Sequence, residues 1–498
     1  MMNRHEFLVG AGAAFALPFR DADAAGNGFG RERLRIGLLA DIHIADEEQL
    51  PMFEKVLRKF DEWKCDGVLC AGDIADFGLV EEIRMTAKSW FNVFPDGKGS
   101  DGRPVANLLH YGDHDMATWY THLPAVKKIV GEGRNPADSL LFNGDVRRQV
   151  WEECFHETWE RYSVKNVKGY TFILNHFDRG RPDNESGDNA PGLGKLLAGL
   201  KLDPTRPFFY SQHRPMRGTN ADIAKKPERP TWGQDAGDTT KLFSRYPNLV
   251  AFSGHLHRNA VDERSVWQGA FTSVMIPSLR YNCTRAGREN GYSLDDRPPK
   301  PPYQTMPQIS TRSSQQYLFM KVCDRAIVIS RHNLEFGNSL GPDWVIPLSS
   351  FFQKADERPF APAVRARTLG APAFAGGSKP ALGLKMGKDR SGARRQMVVV
   401  SFPPALAAGG RPAADDYSVR LEMRKADTVR ILSERRVFSP RYLQGASRET
   451  EDVVCHVPAS ELPEGQALRF SIRPATSFGS EGEPIATAWA LKESIVKK

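Results

Sequence analysis

The stretch LRIGLLADIHI (34–44) decides the fold. An apolar run that ends on two polar residues, Asp41 and His43, reads as a buried strand that delivers chemistry at its carboxyl end. The next segments repeat the plan. EEQLPMFEKVLRKFDEWK (47–64) carries apolar residues at helical spacing, with Pro51 tolerable only near a first turn. DGVLCAGD (66–73) is a second strand and LVEEIRMTAKSWFNVF (79–94) a second helix; after the Gly- and Asp-rich loop PDGKGSDGRP (95–104), VANLLHYGD (105–113) is a third strand. Further strands are predicted at 169–177, 207–213, 248–257 and 269–276. Strands and helices alternating at this spacing predict a layered α/β domain with a substantially parallel sheet, whose ligands bind at the carboxyl ends of the strands.

At 498 residues the chain exceeds what one compact core usually holds, so two domains are expected. After VIPLSSFF (345–352) the sequence changes character. ERPFAPAVRARTLGAPAFAGGSKPALG (357–383) is rich in Pro, Ala and Gly, as a connector would be, and short alternating or β-branched runs follow at 396–403, 417–424, 452–458, 467–475 and 485–491. That is a β-sandwich pattern. The expected organisation is an export signal at 1–25, an α/β domain at 34–352, a linker at 353–383 and a small all-β domain at 384–498.

Hydrophobic residues make up 40% and charged residues 26% of the chain, a soluble globular composition. The net charge of +8 comes from 68 basic residues spread among 60 acidic ones without a long basic run, which gives nucleic-acid binding little support. FLVGAGAAFALPF (7–19) followed by ADA (22–24) has the form of a removable signal with an A-x-A cleavage site, so the expected location is periplasmic or extracellular. NRHEFLVG resembles a twin-arginine signal with His5 at the second arginine position. No other stretch is apolar enough to cross a membrane, and oligomeric state is not readable. Six cysteines without a CxxC pair do not indicate a disulfide scaffold.

The polar residues at the strand ends form a set. The first strand ends on Asp41 and His43, two apart, so that their side chains leave one face of an extended chain; the second on Asp73, followed by Asp76; the third on Asp113, His114 and Asp115; later ones on His213, and on His255 and His257. Carboxylates flanking an imidazole repel each other and are costly to desolvate unless something positive sits among them. This mixture suits Zn, Mn or Fe, and seven ligands suit two ions sharing a carboxylate. The bridge is expected at Asp73, which follows Gly72. Singly, each motif reads as a surface turn or a satisfied polar group; jointly they predict a dinuclear centre. His110, His122, His156 and His176 have no such company and default to structural roles. Trp119, Tyr120 and Trp232 follow ligand positions and either wall a pocket or pack locally; Arg179, Arg181 and Arg217 read first as solvated loop charges.

The ordered motifs DxH, GDxxD, GDHD, a lone His and GHxH resemble those of the calcineurin-like metallophosphoesterase superfamily over about residues 34–348, and the whole chain resembles exported bacterial members with an extra C-terminal β domain. That tail is similar to fibronectin-III or immunoglobulin-like modules. The resemblance implies a layered αββα fold and two divalent or mixed-valence transition-metal ions (Mn, Zn or Fe). One ion lies among Asp41, His43, Asp73 and His257, the other among Asp73, Asp113, His213 and His255. It implies hydrolysis of a phosphate mono- or diester by a hydroxide bridging the ions, with His114 as proton donor, Asp115 orienting it, and Asp76 fixing a ligand's geometry. Asp113 stands where the family usually has Asn. Its extra negative charge would cancel the site's remaining positive charge, and Arg214 and Arg258, each next to a ligand, are the expected compensators and substrate contacts. Asp76 stands where purple acid phosphatases carry a tyrosinate, so the protein is expected to be colourless with iron bound. The rival reading is a non-catalytic binding or adhesion protein on the same scaffold.

Overall fold

The computed structural model describes residues 28–177, 190–220, 237–284, 287–291, 309, 314–388, 391–445 and 451–497. The expected export signal, Arg179, Arg181 and Trp232 lie outside the described residues. Strands β1 (Glu32–Leu39), β2 (Gly67–Ala71) and β3 (Ala106–His110) run parallel to one another. Beside β1 the sheet continues antiparallel through β10 (Gln316–Cys323), β11 (Ala326–Asn333) and β12 (Trp344–Pro347), giving the order β12-β11-β10-β1-β2-β3. The second six-stranded sheet has the order β4-β5-β6-β7-β9-β8, from β4 (Tyr162–Val167), β5 (Tyr170–Asn175), β6 (Phe208–Gln212), β7 (Leu249–Ser253), β8 (Val266–Gln268) and β9 (Thr272–Met275). The two sheets of the expected αββα layering are present, but where the strand pattern suggested a substantially parallel sheet both are mixed. The antiparallel strands β10 and β11 lie far along the chain and add to the sheet only through long-range pairing.

The two sheets face each other. Leu34, Ile36 and Leu38 of β1 pack with Leu318 and Met320 of β10 and with Phe172, Phe209, Val250 and Phe252 of the other sheet in one buried cluster. Helices α1 (Leu50–Glu62), α2 (Val80–Val93) and α4 (Gly144–Phe155) cover the outer face of the first sheet; α3 (Pro124–Val130) lies in a smaller cluster beside Leu79; α5 (Ala190–Gly199) and α6 (Asp238–Phe243) cover the second sheet. Strands buried on both faces have no need to alternate, which is why β2 reads as the unbroken apolar run GVLCA. In α1 the buried Phe53, Val56, Leu57 and Phe60 fall on one helical face. Gly37 lets that face approach the sheet: a Cβ there would lie 2.5 Å from the Phe60 ring.

C-terminal strands β13 (Ala381–Lys388), β14 (Arg394–Phe402) and β17 (Val453–Pro458) form one sheet, and β15 (Asp416–Lys425), β16 (Thr428–Phe438), β18 (Ala467–Ala475) and β19 (Ile485–Ala486) the other. Val398, Val400, Tyr417, Leu421, Cys455, Phe470 and Ile472 close a single core between them. The fold is thus a layered αββα domain followed by a β-sandwich. None of the six cysteines is in a disulfide, and among the described residues no helix is long and apolar enough to cross a membrane.

Candidate metal centre

The carboxyl ends of β1, β2 and β3 in one sheet and of β6 and β7 in the other meet at one edge of the sandwich. There Asp41, His43, Asp73, Asp113, His213, His255 and His257 come together, all but the half-buried His255 fully buried. The expectation that Asp41 and His43 leave one face of an extended chain is corrected. Asp41 (φ 52°), His43 (49°), Asp73 (53°), His255 (72°) and His257 (48°) all adopt left-handed backbone, half of the ten non-glycine residues that do so among the described residues. Asp and His tolerate this region better than most side chains, yet each such residue costs on the order of 1 kcal/mol. The turns are kept by long-range bonds: Asp41 N–H to Gly72 O (3.0 Å) and His43 N–H to Asp73 O (3.0 Å).

Two glycines let the aspartates approach. A Cβ on Gly112 would lie 2.3 Å from Asp73 Oδ1, and one on Gly254 would lie 2.7 Å from Asp41 Oδ2. Gly72 itself has φ +87°, with His213 Nδ1 only 2.6 Å from where its Cβ would be.

The ligand atoms fall into two groups sharing a border at Asp73. His43 Nε2 lies 3.1 Å from His257 Nε2 and 3.6 Å from Asp73 Oδ2; His257 Nε2 is 3.3 Å from Asp41 Oδ1. On the other side His213 Nε2 is 3.1 Å from both Asp73 Oδ1 and Asp113 Oδ1, and His255 Nδ1 is 3.4 Å from Asp113 Oδ1. The atoms of Asp41, His43 and His257, and those of Asp73, Asp113, His213 and His255, lie close enough to hold one ion each.

Donor chemistry fits a cation in each group. His43 Nδ1 is 3.0 Å from Asp76 Oδ1 and His257 Nδ1 is 2.8 Å from Tyr281 O. Both acceptors lack a proton, so each ring donates from Nδ1 and presents an Nε2 lone pair. Two lone pairs facing at 3.1 Å repel unless a cation takes both, and neighbouring ligands on a metal with bonds of about 2.0–2.1 Å have this spacing. His213 likewise donates from Nδ1 to Ala71 O (2.8 Å), and buried Asp113 Oδ1 has no hydrogen-bond donor. Burial alone would raise the carboxyls of Asp41, Asp73 and Asp113, but the imidazoles around them, and Arg214 at Asp113, hold all three below the usual range. Burial lowers His43, with His114 adding to it, and keeps it neutral as a ligand must be.

Around the ligands, Asp76 orients His43 through its carboxylate, while its backbone O accepts His114 Nδ1–H at 2.8 Å. His114 is partly exposed, with Nε2 left for a ligand; burial lowers its pKa, but Asp73 and Asp113 outweigh that and raise it. The expected orienting role of Asp115 is not met. Its fully buried carboxylate instead accepts the N–H groups of Ile74 (3.2 Å), Ala75 (2.7 Å) and Gly112 (2.6 Å), tying together the turns that carry Asp73 and Asp113. Burial pushes its pKa up to about 7 against the pull of those donors. Glu82, not foreseen, does the same one step further on for Phe77 N–H and Leu79 N–H. Neither role has a sequence signal beyond a carboxylate beside a Gly-Asp turn.

Arg214 Nη2 reaches Asp113 Oδ2 at 2.8 Å, both side chains buried, and is the compensating charge. Arg258 Nη1 points to Thr284 O at 3.5 Å. Trp119, well exposed, and Tyr120 stand with their rings 6.4 and 5.8 Å from His114, and Tyr281 lies 4.2 Å from His257.

A family model described as calcineurin-like phosphoesterase matches residues 34–259. Among solved structures the chain is similar to a dimetal phosphatase from Danio rerio (10% identity, TM-score 0.35, 64% of this chain and 100% of that one). It is also similar to a purple acid phosphatase from yellow lupin (Lupinus luteus) seeds (12% identity, TM-score 0.38, 63% of this chain and 53% of that one). No curated protein matches. Residues 34–259, whose strand-end Asp and His side chains gather into two metal-sized groups, thus match the calcineurin-like phosphoesterase model.

Proposed function

We propose that the protein is a dinuclear-metal-dependent phosphoesterase that hydrolyses a phosphate mono- or diester. The observation that carries this reading is the pair of Nε2 lone pairs, on His43 and His257, held 3.1 Å apart by Asp76 and Tyr281, with Asp73 placed between this group and the second one. Asp41, His43, Asp73 and His257 would hold one ion, and Asp73, Asp113, His213 and His255 the other. Bound there, Mn, Zn or Fe supplies Lewis-acid polarisation of the phosphoryl group and lowers the pKa of water.

The chain's own residues do the rest. Arg214, 2.8 Å from Asp113 Oδ2, returns the positive charge that an Asp in place of Asn removes, so the centre keeps its attraction for an anionic ester. His114, anchored at Nδ1 on the Asp76 carbonyl and favoured in its protonated form by Asp73 and Asp113, donates from Nε2 to the departing oxygen. Asp115 and Glu82 keep the Asp73–Leu79 turn from relaxing. By the same reading the protein is exported to the periplasm or beyond, on the strength of the leader at 1–25.

Protein stripped with chelator and reconstituted in turn with Mn, Zn, Fe and Co should turn over an aryl phosphate mono- or diester with at least one of them. His114→Ala should bind the same metal and lose most of that rate. Absence of turnover with all four ions and both ester classes would favour the non-catalytic binding protein.

A further inference from the structure

Residues 278–284 and 287–291 touch two parts of the molecule. On one side they are stitched to the metal centre. Ser278 Oγ donates to Asp41 O (3.0 Å), Arg280 N–H to Asp41 O (3.2 Å) and Cys283 N–H to His257 O (2.7 Å), while the Tyr281 carbonyl takes His257 Nδ1–H (2.8 Å). A few residues on, the same segment is gripped by the C-terminal sandwich. Arg288 Nη2 lies 2.6 Å from Asp416 Oδ2, Glu289 N–H donates to Arg436 O (2.8 Å), and Arg435 Nη1 donates to Glu289 Oε1 (3.0 Å). Asn290 pairs with the Phe438 backbone in both directions, accepting its N–H (2.8 Å) and donating to its O (3.2 Å). A Cβ on Gly291 would lie 2.8 Å from the Phe438 ring, and Asn259, two residues beyond His257, donates to Tyr442 O.

These are not the contacts of a loosely tethered module. Asp416 is fully buried, and Glu289 and Arg435 are 8% and 6% exposed. Charges survive such burial only when paired, so this interface has one register in which all of them are satisfied. A tethered adhesion domain would instead meet its neighbour through a small, polar, hydrated surface.

We infer that the C-terminal sandwich is a positioning element of the metal centre: through Arg435, Asp416 and Phe438 it sets residues 287–291, and through the covalent chain the Tyr281 carbonyl that fixes the His257 tautomer. The inference rests on the proposed metal-binding role of His257. Arg288, Glu289 and Asn290 are then positioning residues for the group of Asp41, His43 and His257, and not for Asp113, His213 and His255.

The test is a two-site titration of chelator-stripped full-length protein with Mn(II) or Zn(II), read by calorimetry and by elemental stoichiometry, with the thermal midpoint followed in parallel. Glu289→Gln and Asp416→Asn should weaken one of the two sites about tenfold to a hundredfold and leave the other within about twofold. Asn290→Ala strands no buried charge and should do the same more mildly, keeping the test open if the charge variants misfold. Glu434→Gln, on the exposed side of β16, should change neither site. Two unchanged sites in folded Asn290→Ala and Glu289→Gln would overturn the inference, and so would equal weakening of both sites, the mark of general destabilisation. Wild-type protein that takes up no metal would instead sink the proposed function.

Discussion

The two halves of the candidate metal centre are built by partly different means. Asp41, His43 and His257 all sit in left-handed backbone, and both imidazoles are aimed by acceptors from outside the group, the Asp76 carboxylate and the Tyr281 carbonyl. In the other half His255 is also left-handed and His213 is likewise aimed by an outside acceptor, Ala71 O, but Asp113 has ordinary helical dihedrals and what is added is charge: Asp113 shares its two oxygens between the ligand group and the buried Arg214. Backbone conformation and hydrogen bonds serve both halves; a buried ion pair is added only in the second. Asp73 belongs to both, with Oδ2 toward His43 and Oδ1 toward His213.

Breaking what the halves share should have the largest effect. Asp73→Asn is expected to empty both groups and cut turnover at least about a thousandfold, on the order of 4 kcal/mol of transition-state stabilisation. Retention of one full equivalent of metal by elemental analysis would mean that Asp73 serves a single ion.

Asp113→Asn separates charge from ligation. It removes the buried carboxylate that Arg214 binds, at a cost of about 3 kcal/mol in denaturant stability, and should change which metal is preferred. Adding Arg214→Gln should recover most of that stability. A single variant as stable as wild type with the same metal preference would show that charge balance is not what builds this half.

Asp76→Ala probes the other device. His43 loses the acceptor of its Nδ1–H, while the backbone carbonyl that holds His114 is kept. Metal affinity at the Asp41, His43 and His257 group should fall about 10–100-fold, with the second ion retained. Equal loss at both sites, seen in a two-site titration, would erase the distinction between the halves.

The smallest effect at neutral pH lies outside both halves and calibrates them. His332 is buried between Trp63 and Tyr317, and burial pulls its pKa down to about 4. The unfolded chain takes up this proton near pH 6.5 and the folded one does not, so stability is lost as pH falls from about 6.5 toward 4, by about 2 kcal/mol at pH 5 from this residue. His332→Phe should shrink the difference between denaturation midpoints at pH 7 and pH 5 without touching metal content. An unchanged difference would assign the acid loss to other buried imidazoles such as His110 and His176.

The strands and helices of the first hundred residues were legible because each is a local pattern: apolar runs ending in Gly-Asp turns, and Phe53, Val56, Leu57 and Phe60 on one helical face. That seven Asp and His side chains gather was legible for the same reason, since Asp and His at the end of a buried strand are costly without a purpose. What misled was geometry. Asp41 and His43 share a destination through left-handed turns held by bonds to Gly72 and Asp73, where period-two alternation suggested an extended chain. Asp115 beside His114 suggested a catalytic pair, but its acceptors are satisfied by N–H groups some 40 residues away in the chain.

The sequence by itself determined which side chains gather and on which strand ends they ride, because hydrophobic periodicity and turn chemistry are written within a few residues. Only the tertiary structure decided how each one is aimed. The Tyr281 carbonyl on His257, Arg214 on Asp113, and Arg435 on Glu289 join residues 24, 101 and 146 positions apart. A backbone carbonyl has no letter of its own, and a buried ion pair between distant segments forms only where the packing of two sheets and a sandwich brings its partners into reach.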